Sequence, residues 1–275
     1  MSNKVSIEGI EIEFPARPAV LAKLTAELET EQPDLRHVSE LVNDDLGLAA
    51  EIVRTANSPY FGVSGRIDSV QQAINFLGLS QVFSLVTGVM LRRVFPRNDP
   101  LMDELWDNST RRAAIMALLA RKAALPADRA YTVGLFQDCG VVVLAALSPN
   151  YRLTWQQICW LPDATLEERS ENAIDHPTIS ASLVQQWGLS DEIEHAVRMH
   201  HEIERLEASG ASVASGASER TRGLVALSVL ANFVLARAQS QNASLWKDSF
   251  GRAAAMLNVA LPVAQTWAEQ ATSLL

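Results

Sequence analysis

The spacing of the apolar residues constrains the fold most, because it follows a helical period over nearly the whole chain. Helix signals divide this pattern, with Asp34 and Ser69 placed as N-caps and Gly78 placed as a stop. Only residues 5–14 alternate as a strand does, which predicts one short strand or a hairpin there. The sequence therefore predicts an all-α protein with at most a short strand near its start.

Proline and small residues indicate how the helices are grouped. Pro96–Pro100 is the best inner boundary, and it predicts two packed helical lobes, residues 14–98 and 99–275, after a leader of residues 1–13. Residues 207–219 are rich in Ala, Ser and Gly and contain a single Val. Because this stretch offers too little apolar surface to pack, we expect a mobile loop there.

Composition narrows the class of protein. The chain is 48% hydrophobic and 20% charged, which is ordinary for a globular protein and excludes a disordered one. No stretch of 18 uncharged apolar residues is present, so we expect no membrane span and no membrane partner. The two cysteines, Cys139 and Cys159, cannot form a disulfide framework. A reduced, cytoplasmic protein is the simplest interpretation.

Charge argues against nucleic acid as the main partner, because the net charge is −9. Residues 52–162 are locally basic, with 11 Lys or Arg against 7 Asp or Glu. Arg111 and Arg112 belong to this block, and we expect them on a solvated helix face. A regulator linked to nucleic acid through the basic block stays open as a minor alternative.

One segment places polar groups where burial is expected. Residues 130–147 are nearly all apolar, which predicts a central buried helix with Gln137 and Asp138 in its middle. A buried, unpaired carboxylate costs several kcal/mol, so Asp138 needs a partner. From the residues alone the partner can be a metal ion, a histidine or an arginine.

The histidines are concentrated in one part of the chain. Four of the five lie in residues 176–201: His176, His195, His200 and His201. Neutral imidazole is a common metal ligand, and together with a carboxylate it can hold a divalent ion. Adjacent helical residues point about 100° apart, so we expect only one of His200 and His201 to face an inner site. We place His195 on the surface.

Several motifs together resemble the HDOD family, the HD-related output domain of bacterial signalling proteins. Asn57–Gly62 reads Asn-Ser-Pro-Tyr-Phe-Gly, and Ile67–Gly78 carries the pattern Ile-x-Ser-Val-x-x-Ala-Ile-x-x-Leu-Gly. Phe14–Pro18 and Asp44–Ala50 add to the match. The resemblance covers roughly residues 14–205, and it implies a second lobe like the HD superfamily of metal-dependent phosphohydrolases.

The resemblance also implies a metal site that is incomplete. Three positions that hold ligands in the HD superfamily are neutral amides here, namely Asn108, Gln137 and Asn232. The remaining positions of this vestigial metal or ligand pocket match the pattern, namely Asp138, His176, His200 and His201. Amide oxygens are poor ligands for transition metals. We therefore expect no cofactor, or a weakly held divalent metal on Asp138, His176 and His200.

These observations predict a non-catalytic signal-transduction and regulatory module with no catalytic residues. It binds a signalling protein partner or a small ligand, and its oligomeric state is open. The alternative is a divergent metal-dependent phosphohydrolase acting on a nucleotide or a cyclic dinucleotide, since Asp138 and three histidines are retained.

Overall fold

The computed structural model describes residues 3–63, 65–95, 100–148, 150–208 and 217–275. The chain folds as two units, each with its own packed interior. The first unit is Pro15–Pro96, and the second is Ser2–Phe14 together with Arg97–Leu275. Most of the boundary predicted at Pro96–Pro100 lies outside the described residues.

The N-terminal residues form a β-hairpin and so resolve the choice between one strand and two. β1 (Asn3–Ile7) pairs antiparallel with β2 (Ile10–Phe14). The two turn residues, Glu8 and Gly9, both have positive φ, as tight hairpin turns require. The rest of the described chain is helical apart from turns, which confirms the predicted all-α class.

The first unit consists of five α-helices and one 3₁₀ turn within its described residues. They are α1 (Ala19–Leu28), α2 (Leu35–Asn43), α3 (Leu46–Ala56), the turn Pro59–Phe61, α4 (Val70–Leu77) and α5 (Leu79–Val94). The predicted caps are confirmed. Asp34 accepts hydrogen bonds from two backbone amides of α2, Ser69 accepts one from Gln72, and Gly78 ends α4 with a φ of 83°.

The second unit carries the longer helices. They are α6 (Pro100–Lys122), α7 (Ala127–Phe136), α8 (Gly140–Leu147), α9 (Tyr151–Ile158), α10 (Thr165–Asn172), α11 (His176–Gln186), α12 (Asp191–Arg198), α13 (Ile203–Ala208), α14 (Glu219–Ala238), α15 (Lys247–Met256) and α16 (Leu261–Thr272). α14 lies centrally and packs against α6, α7, α12, α15 and α16.

The apolar segment 130–147 is two helices and not one, which corrects the prediction. The chain turns at Gln137–Cys139, where the backbone changes to shorter i→i−3 hydrogen bonds, as from Val141 N–H to Asp138 O. This tight turn separates α7 from α8. Gln137 and Asp138 therefore lie in the turn between the two helices, and their side chains contact different partners.

The loop predicted at residues 207–219 is shorter in the structure, because its two ends belong to helices. Glu207 lies in α13 and forms an ion pair with Arg252, and Glu219 begins α14. Residues 209–216 lie outside the described residues, so the prediction of mobility stays a prediction there.

Two segments of the second unit are long and apolar enough to cross a membrane by length and composition alone. They are Ala127–Leu147 and Glu219–Ala238, and in each of them 78% of an apolar 18-residue window lies buried inside the fold. Core helices of globular proteins have the same composition.

Candidate metal and ligand site

The buried Asp138 forms an ion pair with Arg112. Arg112 Nη1 lies 2.7 Å from Asp138 Oδ2, and both side chains are 6% exposed. The contact is a buried ion pair between these two side chains. Burial alone would raise the pKa of the Asp138 carboxyl, but Arg112 and two histidines outweigh it and hold that pKa well below its usual range.

The position of Arg112 corrects a prediction. It is buried in α6 and does not lie on a solvated helix face, although Arg111 beside it is exposed. Its Nε donates to Asn232 Oδ1 at 2.7 Å, so the guanidinium joins α14 to the turn that holds Asp138. A buried charge needs such partners on several sides.

His176 begins α11 and is held by Glu168 of α10. Its backbone N–H donates to Glu168 Oε2 at 2.9 Å, and its Nδ1 lies 2.7 Å from the same oxygen. Tyr151 donates its hydroxyl to the other oxygen of this carboxylate. Because an ionised carboxylate only accepts, His176 carries a proton on Nδ1 and directs Nε2 away from Glu168.

His200 and His201 follow the end of α12 at Arg198 and lie in a turn, so the helical argument that only one of them faces inward is wrong. His200 Nδ1 donates to Val197 O at 2.7 Å, and His201 Nδ1 donates to Pro162 O at 2.7 Å. Carbonyl oxygens only accept, so both rings carry their proton on Nδ1 when neutral. Each keeps Nε2 for another partner.

The three imidazoles converge with Asp138. The Nε2 atoms of His176 and His200 are 3.3 Å apart, and each lies 3.6 Å from Asp138 Oδ1. One ring nitrogen each from His176, His200 and His201 falls within 4.8 Å of the others. Electron-rich atoms directed at one point repel each other unless a proton or a cation lies between them. This donor set of imidazole nitrogens and a carboxylate oxygen fits a divalent transition metal.

Burial governs the charge of the histidines. It lowers the pKa of His201 well below its usual value, helped by the neighbouring His200 and His176, and it lowers the pKa of His200 despite the nearby Asp138. Burial would also lower the pKa of His176, but Glu168 and Asp138 outweigh it and raise that pKa. His200 and His201 are therefore neutral at pH 7, the form that binds metal.

The three predicted amides are bonded to protein side chains. Asn108 accepts a hydrogen bond from Gln239 of the segment after α14. Gln137 accepts one from the Ser228 hydroxyl at 2.7 Å in the buried core. Asn232 accepts one from Arg112. Among the hydrogen bonds of the described residues, only Asn232 bonds to the arginine that contacts Asp138, whereas Gln137 is directed to α14.

Two clefts are lined by residues of this site. The arginine cleft has a volume of about 240 Å³ and is lined by Leu101, Glu104, Leu105, Asn108, Arg112, Asp138, Trp155, Gln156, Cys159, Trp160 and Gln241. The acidic cleft has a volume of about 520 Å³; its lining includes His200, His201, Arg205 and four acids, Asp163, Glu202, Glu204 and Asp248. One cleft therefore opens on the guanidinium and the other on the histidines.

A glycine sets the spacing between the segments that carry Asp138 and His176. Gly140 begins α8, and its N–H donates to the Ser180 hydroxyl of α11 at 2.8 Å. A Cβ at position 140 would lie 2.3 Å from the His176 carbonyl oxygen, which no real Cβ tolerates. The two segments approach as closely as they do because residue 140 has no side chain.

The sequence pointed to Asp138 and the histidines, which the structure brings together, but it placed Arg112 on the surface and did not point to Glu168. The requirement that buried Asp138 have a partner was the available signal for Arg112, which lies one helical turn after Asn108 on α6. Glu168 gave no comparable signal, since its helix has a polar sequence and its full burial arises only when α10 packs against α11.

Comparison with known proteins gives a family match and several similar folds. The family model described as HDOD domain matches residues 14–203. A crystal structure of an HDOD domain protein with unknown function from Geobacter sulfurreducens is 19% identical, with a TM-score of 0.69 over 95% of this chain and 93% of that one. A provisionally named phosphohydrolase from Shewanella amazonensis is also 19% identical, with a TM-score of 0.70 and the same coverage.

A third crystal structure, of a provisionally named signal transduction protein from Marinobacter aquaeolei, is 22% identical with a TM-score of 0.68, over 94% of this chain and 57% of that one. Among curated proteins, an uncharacterized protein of Treponema pallidum is 27% identical over 198 residues, 70% of this chain and 38% of that protein. The uncharacterized protein YuxH of Bacillus subtilis is 31% identical over 115 residues, 42% of this chain and 28% of that protein. The matches thus span about a third of those curated relatives.

Proposed function

The chain belongs to the HDOD domain family, and from this premise we propose that it is a non-catalytic signal-transduction module that binds a protein partner or a small ligand. The names of its solved relatives include both a signal transduction protein and a phosphohydrolase. These names correspond to the two candidate functions.

The observation that carries the proposal is the position of the Arg112 guanidinium. It contacts Asp138 Oδ2 and Asn232 Oδ1, two of the positions that the HD resemblance assigns to metal ligands. A hydrolytic metal centre needs a cation with an open position, where a bound water loses a proton. With a fixed positive side chain at these two oxygens, a metal ion placed there would meet a like charge.

The amides support the same conclusion. Asn108, Gln137 and Asn232 each have a protein hydrogen-bond partner, so their oxygens are already engaged. Neutral amides also lack the negative charge that retains a cation. If a divalent metal is bound, Asp138 and the three histidines would hold it, and an ion bound there would supply Lewis acidity and lower the pKa of a coordinated water.

The arginine cleft is our candidate site for a small ligand. Trp155 and Trp160 give it flat apolar walls, while Asn108, Gln156 and Gln241 supply amide donors and acceptors. Ligand sites combine apolar walls with a few polar groups in this way. Binding is measured by tryptophan fluorescence during titration with small metabolites, and Gln241→Ala is expected to weaken a specific ligand.

The catalytic alternative has one observation in its favour, the convergence of His176 and His200 on Asp138. The test assays cyclic dinucleotides, nucleoside triphosphates and an aryl phosphate with Mg²⁺, Mn²⁺, Fe²⁺ or Zn²⁺. We expect no turnover above the metal-only background. Turnover that Asp138→Asn abolishes in a folded protein would overturn the non-catalytic proposal and establish the alternative.

A further inference from the structure

The acidic cleft of the second unit has an apolar floor and two exposed leucines in its lining. Ile203 of α13, Val229 of α14 and Trp246 line the cleft and are at most 4% exposed. Leu166 of α10 and Leu245, in the 3₁₀ turn before α15, line it as well and are 66% and 47% exposed. Exposed apolar side chains that share one concavity, with polar residues around them, mark an interaction site.

Hydrogen bonds between separate segments hold the walls of this cleft in place. Trp246 Nε1 donates to Trp160 O at 2.9 Å, which joins the 3₁₀ turn to the segment before α10. His201 Nδ1 donates to Pro162 O at 2.7 Å, which joins the turn after α12 to the same segment. The cleft is therefore preformed, and a preformed site loses less conformational entropy when it binds its occupant.

The charge of the cleft selects the sign of its occupant. Its lining has one Arg or Lys, Arg205, against four acids, which are Asp163, Glu202, Glu204 and Asp248. Arg252 lies 3.5 Å from Glu204 and partly neutralises it. Within the part of the chain that the structure describes, the other three acids form no ion pair with a base. A cleft of this charge attracts cationic groups and repels phosphate groups.

The acids are too far apart to share one metal ion. Among the described residues, the only set of three potential ligands with donor atoms within 4.8 Å of one another is His176, His200 and His201. Negative charge that is spread along a cleft suits an occupant with several separated cationic groups. Lys and Arg side chains have this form, and they also lay their methylene stems along apolar surface while the charged end stays in water.

We propose that the acidic cleft is the docking site for a protein partner, and that it takes a short basic segment of that partner in which an apolar residue is flanked by Lys or Arg. The inference rests on the proposed function and deepens it by naming the chemistry of the partner. The basic groups would lie beside the unpaired acids, and the apolar residue would cover Leu166 and Leu245. A free polyamine would match the acids but would bring no apolar side chain to the two leucines.

The test selects binders to the full chain from a display library of random short peptides, with EDTA present so that no metal bridges the two. We expect the recovered peptides to carry Lys or Arg on both sides of a large apolar residue. Fluorescence anisotropy gives the Kd of a recovered peptide, which should rise with salt because exposed ion pairs are screened. The proposal is overturned if no peptide is recovered, if the peptides lack this pattern, or if spermine binds more tightly, since a polyamine would then be the occupant.

A pair of charge reversals tests whether the peptide binds in this cleft. Asp163→Lys replaces an attraction in the cleft with a repulsion, and it should weaken the recovered peptide about 2–30-fold at low salt. Glu269→Lys is the matched control, because Glu269 is exposed on α16, does not line the cleft, and changes the net charge of the chain equally. Equal weakening by both variants would indicate nonspecific attraction to an acidic protein and would overturn the proposal.

A pair of leucine truncations tests the apolar part of the contact. Leu166→Ala should weaken the peptide about 3–30-fold, whereas Leu153→Ala, at a leucine that is 64% exposed on α9 outside the cleft, should leave the Kd unchanged. Equal Kd values for the two variants would contradict the docking site. The phosphoester assay keeps the two proposals apart. Turnover would overturn the non-catalytic function, whereas no turnover together with no peptide binding would overturn only this inference.

Discussion

The seven residues that the family resemblance places in one pocket behave as two groups. Asp138 and the three histidines direct their free atoms at a common point and are held from behind by outer partners. The three amides turn their oxygens to Gln239, Ser228 and Arg112 and are satisfied within the protein. One half of the pocket has the geometry of a cation site, and the amides of the other half are bonded to neighbouring protein side chains.

The difference shows that one pocket can combine two kinds of packing, a convergent set of donors and a set of amides bonded to neighbouring side chains. In the amide half, Arg112 supplies the positive charge, and the amides bond to protein side chains. In the histidine half, burial keeps His200 and His201 neutral while Asp138 stays ionised. The boundary between the halves is the Asp138 carboxylate, since its two oxygens face opposite sides.

The largest effect is expected at this boundary. Asp138→Ala leaves Arg112 buried without its counter-ion, and breaking such a pair costs about 3–5 kcal/mol. The control is Asp45→Ala, which removes an exposed N-cap of α3 and a surface pair with Arg93, and should cost about 0.5–2 kcal/mol. Urea unfolding of both variants measures the difference; equal losses would mean that Asp138 and Arg112 are not a buried pair.

The second prediction tests whether the histidine half depends on its outer partners. Glu168→Gln keeps the shape of the side chain but removes the charge that holds His176, so zinc affinity should fall about 10–100-fold. Glu171→Gln is the control, since Glu171 lies on the same helix, is exposed and accepts a hydrogen bond from Thr154. Competition with a chromogenic chelator gives both affinities. An unchanged affinity for Glu168→Gln would contradict the assignment of His176 as a ligand.

The third prediction tests whether the amide half stabilises the protein in the absence of metal. Gln137→Ala leaves the buried Ser228 hydroxyl unsatisfied, and we expect a loss of about 1–3 kcal/mol with zinc stoichiometry unchanged. Adding Ser228→Ala should recover part of the loss, as a double-mutant cycle measures. If Gln137→Ala lowers the zinc stoichiometry instead, Gln137 belongs with the histidines.

The smallest effect concerns entry of the ion. Glu202→Gln removes one of the acids lining the acidic cleft and should slow zinc association about two- to threefold at low salt, with no effect above about 0.5 M salt. Stopped-flow measurement with a fluorescent chelator gives the rates. A slowdown that persists at high salt would indicate a direct ligand instead of steering.

The sequence was sufficient for much of this fold. Helices with explicit end signals were predicted within a few residues, such as those begun by Asp34 and Ser69, because capping is a local property. The break at Gln137–Cys139 could not be predicted in the same way. An all-apolar run has no period that distinguishes one helix from two, and the turn depends on contacts with α11 and α14.

The candidate site was predictable only in part. That buried Asp138 needs a cationic or polar partner followed from burial energetics, and the structure supplies both an arginine and histidines. Which arginine could not be read from the sequence, since Arg112 is 26 positions away and its charge pattern resembles a surface helix. The orientation of His200 and His201 was likewise hidden, because it depends on α12 ending at Arg198.

The close contact between Gly140 and α11 limits which substitutions this site can accept. A methyl group at position 140 would overlap the His176 carbonyl oxygen. A single substitution at position 140 therefore cannot be accommodated at the present spacing of the backbones that carry Asp138 and His176. A larger residue there requires α11 to shift first. Side chains around the pocket can therefore be replaced without altering this spacing, whereas any side chain at position 140 alters it.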